Sequence, residues 1–182
     1  LGDVYKRQIQ LYGSLEAETG QQVGWINKGS LSIATIPDRM VHVRRQEGLA
    51  RLFGVAAKMI TPGEAKERWP LMNVDDVLGA VWSPGDGRVS PSDLCAALIR
   101  GAKSKGARIF EQMGVTGIHT KNGCICGVET KNGVIKTEKI ALCTGLWSRK
   151  AAAMAGVKVP VWPCEHFYLL TKPLPGMDAN LP

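Results

Sequence analysis

Apolar residues recur at helical spacing in several stretches of the chain and alternate, or run together, in others. From Ile9 to Thr19, Leu11, Tyr12 and Leu15 fall on one helix face and Glu16 and Glu18 on the solvated side, with Gly20 ending the helix. Val23–Ile26 and Ser30–Ile36 are β-type runs joined by Asn27-Lys28-Gly29, which predicts a hairpin. Pro37 opens a second helix to about Phe53, with Met40, Val43, Leu49 and Leu52 inward and Arg44, Arg45 and Arg51 outward. Thr61-Pro62-Gly63-Glu64 combines a capping Thr, a Pro at the first helical position and a Glu three residues after the cap, so a short helix runs to Trp69 before Pro70.

Leu78–Trp82 reads as a strand and Pro84–Gly87 as a turn. Ser90-Pro91-Ser92-Asp93 repeats the capping logic and starts a helix through Leu94, Ala97, Leu98 and Ala102 that ends at Gly106. Ala107–Glu111 is expected to be a strand. The triplet Lys121-Asn122-Gly123 recurs as Lys131-Asn132-Gly133, and two Asn-Gly turns between β-prone runs predict a three-stranded meander lying between that strand and another at Ala141.

The run from Lys139 to Arg149 then carries the most chemistry. It reads as an apolar strand, buried on both faces, that ends in Thr144-Gly145 and opens into a helix through Leu146-Trp147-Ser148. α/β proteins place this arrangement beside a dinucleotide phosphate, where glycine permits close approach of the backbone and helix N-terminal amides face the anion. An ordinary loop with a capping glycine is the alternative reading.

Composition narrows the class. The chain has 182 residues, 45% hydrophobic and 21% charged, which suits one globular piece with an ordinary core. The net charge of +7 is dispersed, with no basic stripe interleaved with aromatics, so nucleic acid is not an expected partner. Part of that charge is left to attract an anionic cofactor or a carboxylate substrate. No apolar stretch approaches the roughly 20 residues of a membrane span, and no leader pattern is expected. Five cysteines without paired spacing read as free thiols in a reducing compartment, with no metal site; Cys124 and Cys126 share a face of a strand. Asp3–Gln8 matches what a transposon end used in library preparation encodes in one frame. Residues 1–8 are therefore set aside as non-native, and the chain is expected to be an internal fragment.

The motifs Leu15-Glu16-Ala17-Glu18-Thr19-Gly20, Gly29-Ser30-Leu31, Trp69-Pro70-Leu71, Asp86-Gly87, Val115-Thr116-Gly117-Ile118, Gly145-Leu146-Trp147 and Cys164-Glu165-His166-Phe167-Tyr168-Leu169-Leu170-Thr171 occur in one order. Together they resemble the FAD-dependent dimethylglycine and sarcosine dehydrogenases, within the D-amino-acid-oxidase-like flavoproteins, over everything after residue 8. They also resemble the regulatory subunit of pyruvate dehydrogenase phosphatase, which shares the fold without an established dehydrogenase role.

The resemblance implies a mixed α/β fold, a Rossmann-like FAD domain with a β-meander plus an antiparallel substrate domain. Residues 9–88 would be the first substrate-domain segment, 89–158 the FAD-binding segment and 159–182 a truncated return to the substrate domain. It implies FAD as cofactor, a small amine substrate, and an electron acceptor and folate for the full-length protein. The compartment is expected to be the cytoplasm, or alternatively the mitochondrial matrix. Val115, Thr144, Gly145 and Trp147 are expected against the cofactor, and His166 and Tyr168 on the substrate side. The motif from Cys164 to Thr171 is read as an otherwise apolar strand on which Glu165 points the other way; Trp25, Trp82 and Trp162 are read as core, and His42 and His119 as surface. Neither the Gly-x-Gly-x-x-Gly cradle nor the upstream flavin-attachment histidine of the resembling dehydrogenases lies in the chain, so the fragment alone is not expected to hold FAD or turn over substrate.

Overall fold

A computed structural model describes residues 2–178 and 181–182. The elements in chain order are α1 (Gly2–Thr19), β1 (Ser30–Ala34), α2 (Pro37–Leu52), β2 (Lys58–Ile60), α3 (Pro62–Arg68), β3 (Gly79–Ser83), α4 (Pro91–Ser104), β4 (Val115–Lys121), β5 (Cys124–Thr130), β6 (Gly133–Lys136), a 3₁₀ turn (Gly145–Trp147) and α5 (Ser148–Ala153). They fall into two units: residues up to Arg108 together with the segment from Thr171, and Ile109–Leu170. Among the described residues no helix is long and apolar enough to cross a membrane.

The first unit is built on an antiparallel sheet of order β1-β3-β2, with Ser30 opposite Ser83 and Lys58 opposite Trp82. Successive residues of a strand face opposite sides, and β3 buries both. Val81 packs with Ala34 and Val43 of α2, while Ala80 packs with Ile60 and Ala65 of α3. A third cluster joins α1 to α4 through Leu15, Val23, Leu94 and Ala97, with the Tyr12 and Trp25 rings edge-on at 6.2 Å. At α3 the capping box forms as expected: the Thr61 amide donates to Glu64 Oε2 (2.8 Å) and the Glu64 amide to Thr61 Oγ1 (3.2 Å). The Thr61 amide first, and then the Thr61 hydroxyl, which donates to the same Oε2 at 3.0 Å, hold the Glu64 carboxyl below its usual pKa.

Four expectations change. The hairpin over 23–36 does not form; Ile26 instead bridges Arg88, and β1 pairs with β3, so both runs line up on the chain around Asp86. The turns at Asn27–Gly29 and Pro84–Gly87 interlock: the Gly29 amide donates to Asp86 O (2.9 Å), Asn27 Nδ2 to the same oxygen (2.6 Å), and the Ser30 hydroxyl to the Asp86 carboxylate. Burial in this knot raises the Asp86 pKa. Next, Leu49 and Leu52 are exposed, at 55% and 75%, and Val43 is the α2 side chain that is fully buried. Leu49 instead lines an open hollow with Phe53, Ala57 and Ser83, so this end of α2 is only partly covered. Leu98 is likewise exposed on α4. Finally, Ala107–Glu111, Lys139–Cys143 and Cys164–Thr171 are not strands. A strand exists only where a neighbour takes up its backbone N–H and C=O groups, and no described strand runs beside any of the three.

Gly29 is the tightest point of the knot. It sits at φ +77°, and an added Cβ would lie 2.0 Å from Trp82 Cη2. Gly29→Ala therefore strains the backbone and displaces a ring at once, and is expected to cost about 3 kcal/mol or more. Urea unfolding of the full-length protein checks this through a lower midpoint.

In the second unit the expected meander forms, with order β4-β5-β6. Asn122 and Gly123 are the two loop residues of the first hairpin at φ 51° and 78°, both in the left-handed region that a tight hairpin requires. In the second, Thr130 pairs with Gly133, so Lys131 and Asn132 form the loop, and Asn132 N donates to Thr130 Oγ1 at 3.2 Å.

Candidate functional site

The Thr144–Trp147 turn starts from its glycine. Gly145 has φ +54°, and an added Cβ would meet nothing within 4 Å. The protein therefore needs glycine here for its backbone conformation, and leaves the space beside it open. The Trp147 amide closes the turn on Thr144 O (3.0 Å), and the Thr144 hydroxyl donates to Ser148 Oγ (3.1 Å). Ala152 of α5 is buried and holds the short helix in place. The segment before the turn is not the doubly buried strand expected from its composition: Leu142 is 40% exposed, and Ala141 to Trp147 lie on the surface.

Trp147 and Leu146 line a hollow of about 420 Å³ with Arg149, Ala153, Trp162 and Pro163. Trp162, read from the sequence as core, is 74% exposed, with the Arg149 guanidinium 5.4 Å from its ring centre. Trp25 and Trp82 do pack on the core as expected. A guanidinium stacked on an indole is a cationic, flat-faced surface. The sequence signal that could have found it is the arginine two positions after Trp147, in the first turn of α5.

The other expected site residues lie elsewhere in this unit. Val115 begins β4, an edge strand of the meander, and pairs with Thr130. His166 and Tyr168 come together, with ring centres 6.2 Å apart at 55°, as two residues on one side of an extended chain should. Both are exposed, and so is Glu165. His42 is exposed as well, and His119 is an exposed cross-strand partner of Glu129, Nε2 to Oε2 at 3.0 Å. Among the described residues no hydrogen bond, ion pair or ring contact joins Val115, the Thr144–Trp147 turn and the His166–Tyr168 pair to one another.

Comparison with known proteins gives these features a family. The whole chain, residues 1–182, matches the DAO family, described as FAD dependent oxidoreductase, and the chain belongs to it. It is 38% identical over 173 residues to the mitochondrial sarcosine dehydrogenase of Mus musculus, covering 92% of this chain and 19% of that protein. It is 36% identical over 166 residues to the mitochondrial pyruvate dehydrogenase phosphatase regulatory subunit of the same organism, covering 90% and 19%. Among solved structures, L-proline dehydrogenase from P. horikoshii aligns with a TM-score of 0.74 at 34% identity, covering 84% of this chain and 40% of that one. The mixed α/β fold is thus that of the D-amino-acid-oxidase-like FAD oxidoreductases, and FAD is the cofactor of the family. The chain spans about a fifth of the length of the curated relatives it matches.

The residues present fit that cofactor in kind. An open glycine at φ +54°, the exposed Trp147 ring and a nearby arginine suit a large molecule with flat rings and an anionic centre.

Proposed function

We propose that this chain is part of an FAD-dependent oxidoreductase that oxidises the N-methyl group of a small secondary or tertiary amino acid, of the sarcosine or dimethylglycine type. What carries the reading is the 38% identity, sustained over 92% of the chain, with a protein named for sarcosine oxidation. Residues 89–158 contribute to the cofactor side, and those before Val89 and after Val159 to the substrate side. Val115, Thr144, Gly145 and Trp147 hold FAD, which supplies a two-electron acceptor for the methyl C–H when bound.

The chain's own residues bind and position. The open backbone at Gly145 admits a close approach, and Trp147 covers apolar surface and excludes water. His166, beside Tyr168, sits on the substrate side, where an imidazole can keep the amine neutral or orient it and a phenol can shape the pocket. The names of both curated relatives place them in mitochondria, which favours the matrix over the cytoplasm for this protein. A folate site and an electron acceptor would belong to other parts of the full-length protein.

A second reading has its own support. The 36% identity with the phosphatase regulatory subunit is nearly as high, and favours a flavin-binding protein that acts on a partner instead of an amine. Reduction of the bound flavin by an N-methyl amino acid without oxygen separates the two.

The cofactor placement has its own test. Edge-on recognition of adenine by main chain needs an extended residue at a strand end, which Val115 is. A crystal structure of the full-length protein with FAD is expected to show the Val115 N–H or C=O within about 3.2 Å of an adenine nitrogen. Val115 remote from the cofactor would remove it from the site.

A further inference from the structure

We propose that Cys124 and Cys126 form a two-thiolate site for a soft monovalent metal ion, Cu(I). The inference stands apart from the flavin reading and uses none of its residues. Both thiols are unbridged and exposed on β5, and both line one hollow of the meander together with Lys121, Lys136, Lys139 and one carboxylate, Glu138. Lys121 stands directly opposite Cys124 in the ladder, and Lys136 opposite Gly127. The pairing jumps from His119 with Gly127 to Thr120 with Ile125, so Cys126 is the extra residue of a β-bulge with no partner of its own in β4. Bulges re-aim side chains, and here the re-aimed side chain lines the same hollow as Cys124.

Spacing and charge select the ligand. Residues i and i+2 of a regular strand have Cα atoms roughly 6.7 Å apart, near the upper limit for a disulfide with its S–S bond of about 2.05 Å, and the bulge at Cys126 kinks the strand between the two thiols. An ion between the sulfurs lengthens the bridge to two metal–sulfur bonds of about 2.3 Å each, which suits the longer span better than a direct S–S bond. Among the described residues no group of three or more His, Cys, Asp and Glu side chains could hold a metal, so the four ligands of structural zinc are not at hand. Three lysines outnumber the single carboxylate of the hollow, Glu138, and oppose a dication more strongly than a monovalent ion, while two thiolates are the soft donors that select Cu(I). Two Cu–S bonds form, two thiol protons leave to solvent, and the copper stays monovalent. The resulting bis-thiolate carries one net negative charge, which the lysine ammonium groups offset.

The test is an anaerobic titration of the reduced full-length protein with Cu(I) alone, in competition with a colorimetric Cu(I) chelator. Wild type is expected to withhold one Cu(I) per chain at this site, and Cys95→Ser to behave identically. Cys124→Ser and Cys126→Ser, exposed positions where serine leaves the fold intact, are each expected to weaken binding by more than the 10- to 100-fold typical of losing an outer-shell partner. Lys121→Glu with Lys136→Glu should weaken it by about tenfold. Full Cu(I) retention in either serine variant, or no retention by wild type, overturns the site; an unchanged affinity in the double glutamate variant overturns the role given to the lysines.

Discussion

His166→Ala in the full-length holoprotein is expected to slow reduction of the flavin by an N-methyl amino acid by about 10- to 1000-fold, the range for losing a positioning or proton-handling group. The imidazole is exposed, and among the described residues its ring contact is Tyr168 at 6.2 Å, so removing it deprives the fold of little. Bound flavin and unfolding midpoint should therefore match wild type while the rate falls. Rapid-mixing absorbance under anaerobic conditions reads the rate directly. A wild-type rate in the variant would take His166 out of the reaction, and loss of flavin would assign it to the cofactor instead.

Gly145→Val is expected to cost flavin more than it costs protein. A β-branched residue at φ +54° strains the backbone by about 1–3 kcal/mol, but its Cβ meets no neighbouring side chain or backbone within 4 Å, so the strain stays local to an exposed turn. The space they fill is the space through which a cofactor would approach. Purified variant should retain a several-fold lower flavin-to-protein ratio than wild type, by absorbance at matched protein concentration, with expression little changed. Equal flavin content in the two proteins would count against a cofactor role for this turn.

What could be read from the sequence was what is decided locally. At Thr61 and Glu64 both ends of the capping bonds lie within four residues, and the box forms as written. The meander follows from its Asn-Gly signals, yet identical triplets give different loops. Asn122-Gly123 forms the first, whereas Lys131-Asn132 forms the second, with Gly133 at φ 121° already in β6, because Thr130 pairs with Gly133 and sets the register. Register belongs to the strand pair, not to the triplet.

The hairpin at 23–36 failed for a non-local reason: the acceptor for the Gly29 amide is Asp86 O, and β1 takes β3 as its neighbour. The runs at Ala107, Lys139 and Cys164 have β-type composition but no described strand to pair with, and composition alone closes no ladder. In the candidate site, the need for glycine at 145 was legible because it is a property of one backbone angle. The exposure of Trp162 beneath Arg149 was not, since an indole in an apolar stretch reads as core until its neighbours are known. The knot around Asp86 joins the Gly29-Ser30 and Asp86-Gly87 motifs into one structure that neither motif announces alone.

The central claim is that the protein containing this chain oxidises an N-methyl amino acid with its flavin. The most direct measurement is the visible absorbance of the full-length holoprotein on adding sarcosine or dimethylglycine without oxygen. Bleaching of the oxidised flavin band by one of them is the predicted result, because transfer of the hydride equivalent reduces the cofactor whatever acceptor reoxidises it later. A holoprotein that keeps its FAD and never bleaches with any N-methyl amino acid would contradict the enzyme reading and favour the regulatory one.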